Sequence, residues 1–404
     1  MDRFRREYNI TLKKTDLIYT AILVCLFALF TEFFYRQCVR YNDLYISDTI
    51  VYAQHIGDVN NSRMVGWLFA KLHAINGEYY EIALFMSLVV VATIVACYFL
   101  IDYLLRREGV DLQRWKVQMM SFIALFSSAI YLPGIYEHFY SGTWSKYSWQ
   151  SPTQQSMILF AVISLLLLLK LYDHYLDKIT VGQWLGLTVM LLLTTWAKPS
   201  FLMVLAPTMI IVFIADLIRR NEYPFLQRLK NIFILGCSFI PAGLFMLLLN
   251  SQEFAGDENE AGVAINLGYF LEKIDHPALM IFLSLAFTIV VFAFNLKKFK
   301  ERTYQIFGGM LLFGVAQYTI LVETGSRINH GNFSWGREVG EFMIFMAALA
   351  LAVANFKNED GTFLRGKPAL RYIYLAVIAL LLAGQVISQL VYVYLLLKGN
   401  LYRM

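Results

Sequence analysis

Charge is what this chain has least of. Charged side chains make up 16% of its 404 residues against 58% hydrophobic, and the mean hydropathy is +0.55. Soluble domains carry about a quarter charged residues, so a soluble fold is excluded and an integral membrane protein is implied. Cysteine is nearly absent too. The four present (Cys25, Cys38, Cys97, Cys237) lie in or beside apolar runs at no metal-ligand spacing, which argues against a zinc site, any other metal centre and a disulfide framework. There is no low-complexity tract, linker, clear internal repeat or soluble domain. The first apolar run ends in "TEFFYRQ" without the small residues of a cleavage site, so it reads as a retained anchor instead of a signal peptide.

What is present is a series of apolar runs long enough to cross a bilayer, which takes about 17 to 25 residues. They fall near 17–35, 81–105, 117–133, 155–172, 183–197, 200–218, 231–250, 278–295, 304–322, 339–355 and 371–397. The expectation is an all-α polytopic bundle of about eleven transmembrane helices, forming one domain over 1–404. Basic residues set its orientation. Arg3, Arg5, Arg6, Lys13 and Lys14 precede the first run, and alternate connectors hold Arg106, Arg107, Arg114, Lys116, Arg219, Arg220, Arg228, Lys297, Lys298, Lys300, Lys357, Arg365 and Lys367. This bias puts the N-terminus in the cytoplasm. The net charge of +5 then reflects topology, and nucleic acid is not an expected partner.

The cytoplasmic connectors read as basic and nothing more, so chemistry is expected on the other side, in 36–80, 134–154, the tight turn at Lys198 and Pro199, 251–277 and 323–338. Within 36–80, Val65, Leu68, Leu72 and Ile75 recur at helical spacing and suit a helix lying in the interface plane. A shorter helix starts at Ser47 or Asp48 and runs to Gly57.

Five of six histidines (His55, His73, His138, His276, His330) fall on this outer side. "GIYEHFYSGTWSKYSWQSPTQQ" places Glu137, His138 and Lys146 among Tyr140, Trp144, Tyr147 and Trp149, and aromatic faces beside hydrogen-bonding groups suit sugar rings. An interfacial aromatic belt would use the same residues. Asp48 is a candidate general base for an attacking hydroxyl, or a helix N-cap. Lys198 could hold a lipid phosphate as a point charge or snorkel to the surface. "ETGSRINHGNFSWGRE" gathers Glu323, Arg327, His330, Asn332, Trp335, Arg337 and Glu338. Its arginines and histidine suit a phosphate or pyrophosphate, Trp335 offers a face, and the two glutamates can orient the arginines.

This arrangement resembles the GT-C class of membrane glycosyltransferases, which use polyprenyl-phosphate-linked sugars on the outer face. The likeness rests on the number of spans, the first outer loop with "SDTIVYAQHI", the "KPSF" turn and the late "RINHGNFSWGRE". It implies that Asp48 is the catalytic base and that Lys198, Arg327 or Arg337 steadies the leaving lipid phosphate. It also implies an envelope glycan or lipid acceptor, membrane lipids as surroundings and no cofactor. Composition and the anchor fit a bacterial inner membrane, with an organelle membrane as the alternative. Many members pair two acids in the first loop, whereas Thr49 follows Asp48 here. Two other readings share the architecture: an envelope polysaccharide polymerase or ligase, and a lipid-linked sugar transporter. A transporter is expected to carry ionisable groups near the midplane, where the runs offer mainly Gln317, Gln385 and Gln389. The transferase reading requires Asp48 and residues 323–338 to line one cavity, with Lys198 in its wall and the aromatics of 140–149 across its entrance.

Overall fold

Only a helix satisfies its own backbone where water is absent, and the long apolar runs accordingly fold as helices. The computed structural model describes residues 14–39, 47–54, 63–136, 145–219, 222–254, 262–269, 271–272, 274–325, 328, 331–357 and 367–398. His55, Glu137, His138, Tyr140, Trp144, Arg327 and His330 lie outside the described residues.

In chain order the helices are α1 (Lys14–Val39), α2 (Asp48–Gln54), α3 (Met64–Asn76), α4 (Tyr80–Arg107), α5 (Arg114–Leu125), α6 (Pro152–Tyr172) and α7 (Val181–Ala197). They continue with α8 (Ser200–Arg219), α9 (Phe225–Cys237), α10 (Ile240–Phe254), α11 (Pro277–Ala293), α12 (Arg302–Ile320), α13 (Ser334–Lys357) and α14 (Pro368–Lys398). Among the described residues, seven are long and apolar enough to cross a membrane, counting α9 with α10 as one: α1, α4, α6, α8, α9–α10, α13 and α14. The chain is a multi-pass, all-α membrane protein, with seven such helices where the hydropathy runs suggest about eleven. The strands named among the described residues are a pair of three residues each, β1 (Val263–Ile265) and β2 (Leu321–Glu323). They run antiparallel, with Val263 opposite Glu323 and Ile265 opposite Leu321.

The run at 117–133 is not a continuous helix. α5 ends at Leu125 and the chain continues without helix through Tyr131, at a point where hydropathy alone shows no break. Ser127 and Ser128 make the break possible by supplying polar groups inside an apolar run. The Ser127 hydroxyl donates to the Ile123 carbonyl at 2.6 Å. The Ser128 amide then donates to the Gln385 carbonyl at 3.1 Å, the Ile130 amide to the Leu283 carbonyl at 3.3 Å, and the Tyr131 amide to the Ser388 hydroxyl at 2.9 Å. Non-helical backbone is tolerated among membrane helices only where protein buries and pairs it, and here α11 and α14 do so.

Residues 145–151 are likewise non-helical and buried throughout. Gln155 donates to the Trp149 carbonyl at 2.8 Å, and the Trp149 ring stacks on Phe30 at 5.0 Å between centroids. Tyr147 and Trp149 are therefore core residues and do not form a cavity entrance.

Two local devices bring α8, α12 and α13 together. Pro207 interrupts α8 and, lacking an amide hydrogen, leaves the Met203 carbonyl without its helical donor. The Gln317 side chain supplies that donor from α12 at 2.8 Å. The second device is glycine: a Cβ on Gly314 would lie 2.6 Å from the Gly336 carbonyl oxygen, and one on Gly340 would lie 2.8 Å from the Leu311 Cα. Gly336 and Gly340 form a small-xxx-small face that lets two backbones touch. At the far end of the bundle, Asp216 accepts from Arg302 and Tyr175, each at 2.7 Å, and Glu108 accepts from Lys298 and Tyr304, also at 2.7 Å. Lys298 and Arg302 thus fasten helices as well as setting charge.

Gly340→Leu places a branched side chain where backbone already lies, and overpacking of this kind costs about 1–3 kcal/mol. The expected outcome is a lower Tm for the purified variant in detergent; an unchanged Tm would show that α12 and α13 can separate freely.

Candidate functional site

The first outer segment folds as expected in outline, with α2 from Asp48 and α3 over Met64–Asn76. Ser47 is the N-cap of α2: its hydroxyl oxygen accepts from the Thr49 amide at 3.2 Å and its hydroxyl donates to Gln37 Oε1 at 2.5 Å. That removes the capping explanation for Asp48. Gln37 also donates to the Trp149 carbonyl at 3.4 Å, so α2 is held between α1 and the buried 145–151 segment. Burial raises the Asp48 carboxyl above the usual carboxylate range, while the charge of Lys198 and a hydrogen bond with Ser151 act in the opposite direction.

Lys198 forms the two-residue break between α7 and α8 together with Pro199. Its amide closes α7 on the Thr194 carbonyl at 2.9 Å, and its backbone is extended there. The ammonium sits 3.4 Å from the centre of the Trp335 ring, a cation–π contact. Trp335 reaches that place because α13 begins at Ser334, five residues before the apolar run that marks it in the sequence. Trp335 and Arg337 are therefore first-turn helix residues, Glu338 follows directly after that turn, and all three are buried. Gly336 allows this close start, since a Cβ there would meet Val204 at 3.0 Å and Gln317 at 3.1 Å.

Below Lys198 the charges continue inward. Glu338 is within electrostatic reach of Lys198 and Arg337 and has Ser148 as hydrogen-bond partner. Arg337 pairs with Glu341 at 3.3 Å and lies over the Tyr318 ring at 5.5 Å. Glu341 accepts from Ser284 at 2.6 Å and is within electrostatic reach of Lys146. Lys146 is fully buried, donates to the Ser128 carbonyl at 3.4 Å and lies 4.3 Å over the Phe345 ring. The result is an alternating series: Asp48, Lys198, Glu338, Arg337, Glu341, Lys146. The expectation that the span interiors are almost free of charge is corrected here. Glu341 escaped notice because it stands inside an apolar run, although a lone acid in such a run is itself a signal.

Beside Lys198 lies a cavity of about 230 Å³. Arg63, Lys198, Glu323 and Asn332 give it a polar side, Met246, Leu247 and Leu249 of α10 an apolar one, and Val263 and Phe333 contribute further apolar surface. Asn332 donates to Glu323 at 2.8 Å. Of the expected site residues, Glu323, Asn332 and Lys198 line this cavity; the expectation that Asp48 lines it too is corrected, since Asp48 lies outside the lining and reaches it only through the charge of Lys198, while Trp335 lies beneath Lys198 and Arg337 and Lys146 lie deeper. Arg63, the residue before the first turn of α3, also lines the cavity. Among the described residues no group of three or more His, Cys, Asp or Glu could hold a metal ion.

An acid whose folded pKa is raised contributes stability when protonated and loses it as pH rises through that pKa. Asp48→Asn, which mimics the protonated form, is expected to raise Tm at neutral pH, with the gain vanishing below about pH 4, where the wild-type carboxyl is protonated in both states. A gain that persisted at low pH would assign the effect to something other than the charge. No protein-family model matches the chain, and no curated protein matches it, so the chemistry of the site is read from its geometry.

Proposed function

We propose that the chain is a membrane glycosyltransferase that moves a sugar from a polyprenyl-phosphate donor to an envelope glycan or lipid acceptor, as the likeness to the GT-C class implies. The observation that carries the reading is Asp48: a carboxyl relieved of helix capping and half-buried within the field of Lys198, itself on the wall of a cavity with one polar side that holds two cations and one apolar side. Burial adjusts a carboxylate toward work as a base near neutral pH.

In this reading Asp48 takes the proton of the acceptor hydroxyl as its oxygen attacks the anomeric carbon. The new C–O bond forms as the bond from that carbon to the lipid phosphate oxygen breaks, with inversion. The phosphate departs with the electron pair, and Lys198 and Arg63 offset its charge. The leucine side of the cavity receives the start of the polyprenyl chain. Glu323 and Asn332 contact the sugar, and Trp335 holds the Lys198 ammonium in place from beneath. Arg327, His330, His138 and Trp144 stay assigned to donor binding from the sequence, and Arg337 and Lys146 to holding the site's charge from below.

The same proposal includes eleven crossings, with the N-terminus cytoplasmic, in a bacterial inner membrane. What supports it is the positive bias of alternate connectors together with the separation of the Lys198 cavity from the Asp216 and Glu108 clusters at the other end of the bundle.

A second reading, a lipid-linked sugar transporter, gains from one observation. The broken span after α5 lies beside buried Lys146, Glu341 and Arg337, and interrupted helices with ionisable groups are where transporters bind their cargo. A polysaccharide polymerase or ligase shares the transferase chemistry and differs in the size of the group moved.

The test is release of polyprenyl phosphate by purified protein offered a panel of polyprenyl-phosphate sugars. Wild type should turn over, and Asp48→Asn should lose about 10²–10⁴-fold in rate while still binding donor. Turnover that survives the substitution removes Asp48 as base. Donor binding with no turnover, accompanied by flux into liposomes, establishes the transporter instead.

A further inference from the structure

The strand pair lies beside the cavity and presents an unusual surface. Val263, Ile265 and Leu267 alternate along one stretch and all three are exposed, Ile265 at 77% and Leu267 at 72%. Alternate residues of a strand share a face. The opposite face packs inward through Val322. An exposed apolar row on an extracellular loop would ordinarily be an aggregation liability, so what covers it has to be identified.

Its position answers that. β2 follows α12 with no intervening residue, Ile320 to Leu321. The chain after β1 then folds back on the end of the same helix: the Asn266 amide donates to the Ile320 carbonyl at 2.9 Å and the Gly268 amide to the Thr319 carbonyl at 2.8 Å. These bonds satisfy carbonyls that a helix end leaves open, and they pin Ile265 and Leu267 at the level where α12 ends. Three strand residues rise only about 10 Å, so no part of the pair can stand far from the bilayer surface. Val263 and Glu323, opposite one another in the pair, both line the cavity. Its other flank is α10, where Leu244 and Leu247 are exposed at 63% each and face lipid.

We propose that the β1–β2 ribbon dips into the outer leaflet, covered by phospholipid acyl chains, and that with α10 it frames a lateral opening through which a long-chain lipid reaches the cavity. The occupant is a lipid because the row meets the exposed leucines of α10, a helix apolar enough to cross a membrane, at the cavity that Val263 and Leu247 both line. The lateral route deepens the transferase reading and rests on its placing of the donor lipid in that cavity; the contact with acyl chains stands without it.

Two measurements test the two parts. With Ile265 or Leu267 replaced by p-benzoylphenylalanine, irradiation in phospholipid vesicles is expected to yield a phospholipid adduct, whereas the same group at Glu272 should not. Adducts to protein only, or none at either position, would overturn the insertion. For the opening, Ile265→Asp and Leu267→Asp are expected to weaken binding of a fluorescent long-chain polyprenyl phosphate by about tenfold, the scale of one or two buried methylenes per site, and to leave a two-isoprene analogue unchanged. Equal weakening of both chain lengths, or of neither, would remove the lateral route. Because these assays read binding and contact, they give their answer even if the protein proves to transfer no sugar.

Discussion

Everything at this end of the molecule depends on the ammonium of Lys198. It is within electrostatic reach of both Asp48 and Glu338, two carboxylates from helices almost 300 residues apart in the chain, and it rests on the Trp335 ring. An isolated ion taken into low dielectric costs several kcal/mol even after relaxation. Six ionisable side chains lie between the cavity edge and the interior, and what makes that tolerable is their order: acid, base, acid, base, acid, base. Removing a middle member would leave two like charges as neighbours. The order also fixes where α2, α13 and the α7–α8 break must sit, because each contributes a charge whose neighbours lie on different elements.

The backbone satisfies a matching constraint. Wherever a membrane segment loses helix, a polar side chain replaces the missing partner: Ser388 and Ser127 at the break after α5, Gln155 at the 145–151 segment, and Gln317 at the carbonyl exposed by Pro207. The glutamine and serine content of these spans is therefore largely structural, and Gln317, which hydropathy reading marks as a midplane polar group, repairs a helix. What remains for function after this subtraction is the set of groups that repair nothing, Asp48 foremost.

How much of this was legible follows from the range of each interaction. The Lys198–Pro199 break, the α3 helix and the gathering of Glu323, Asn332 and Lys198 rest on local pattern and on topology, and the sequence shows both. The break after α5 does not register, since "ALFSSAIYL" is as apolar as a helix and its unwinding is decided by carbonyls on α11 and α14. The start of α13 at Ser334 was hidden for the opposite reason: a polar first turn looks like loop until the glycines that seat it against α12 are known to touch backbone. Lys146 looked like an outer-loop cation because nothing nearby in sequence announces its acidic neighbour, Glu341.

The contrast between the two walls of the cavity narrows what can bind there. A free sugar phosphate would gain from Arg63 and Lys198 but would have to dehydrate the methionine and leucines of α10 without contributing apolar surface of its own, leaving the hydrophobic term unused. A simple phospholipid would use the leucines and the cations but has nothing for Asn332 or Glu323. A ligand with an apolar chain, a phosphate and a hydroxyl-rich group in that order matches all three surfaces. The cost of keeping Asp48 beside Lys198, unused as a cap, is what the proposed transfer reaction would account for.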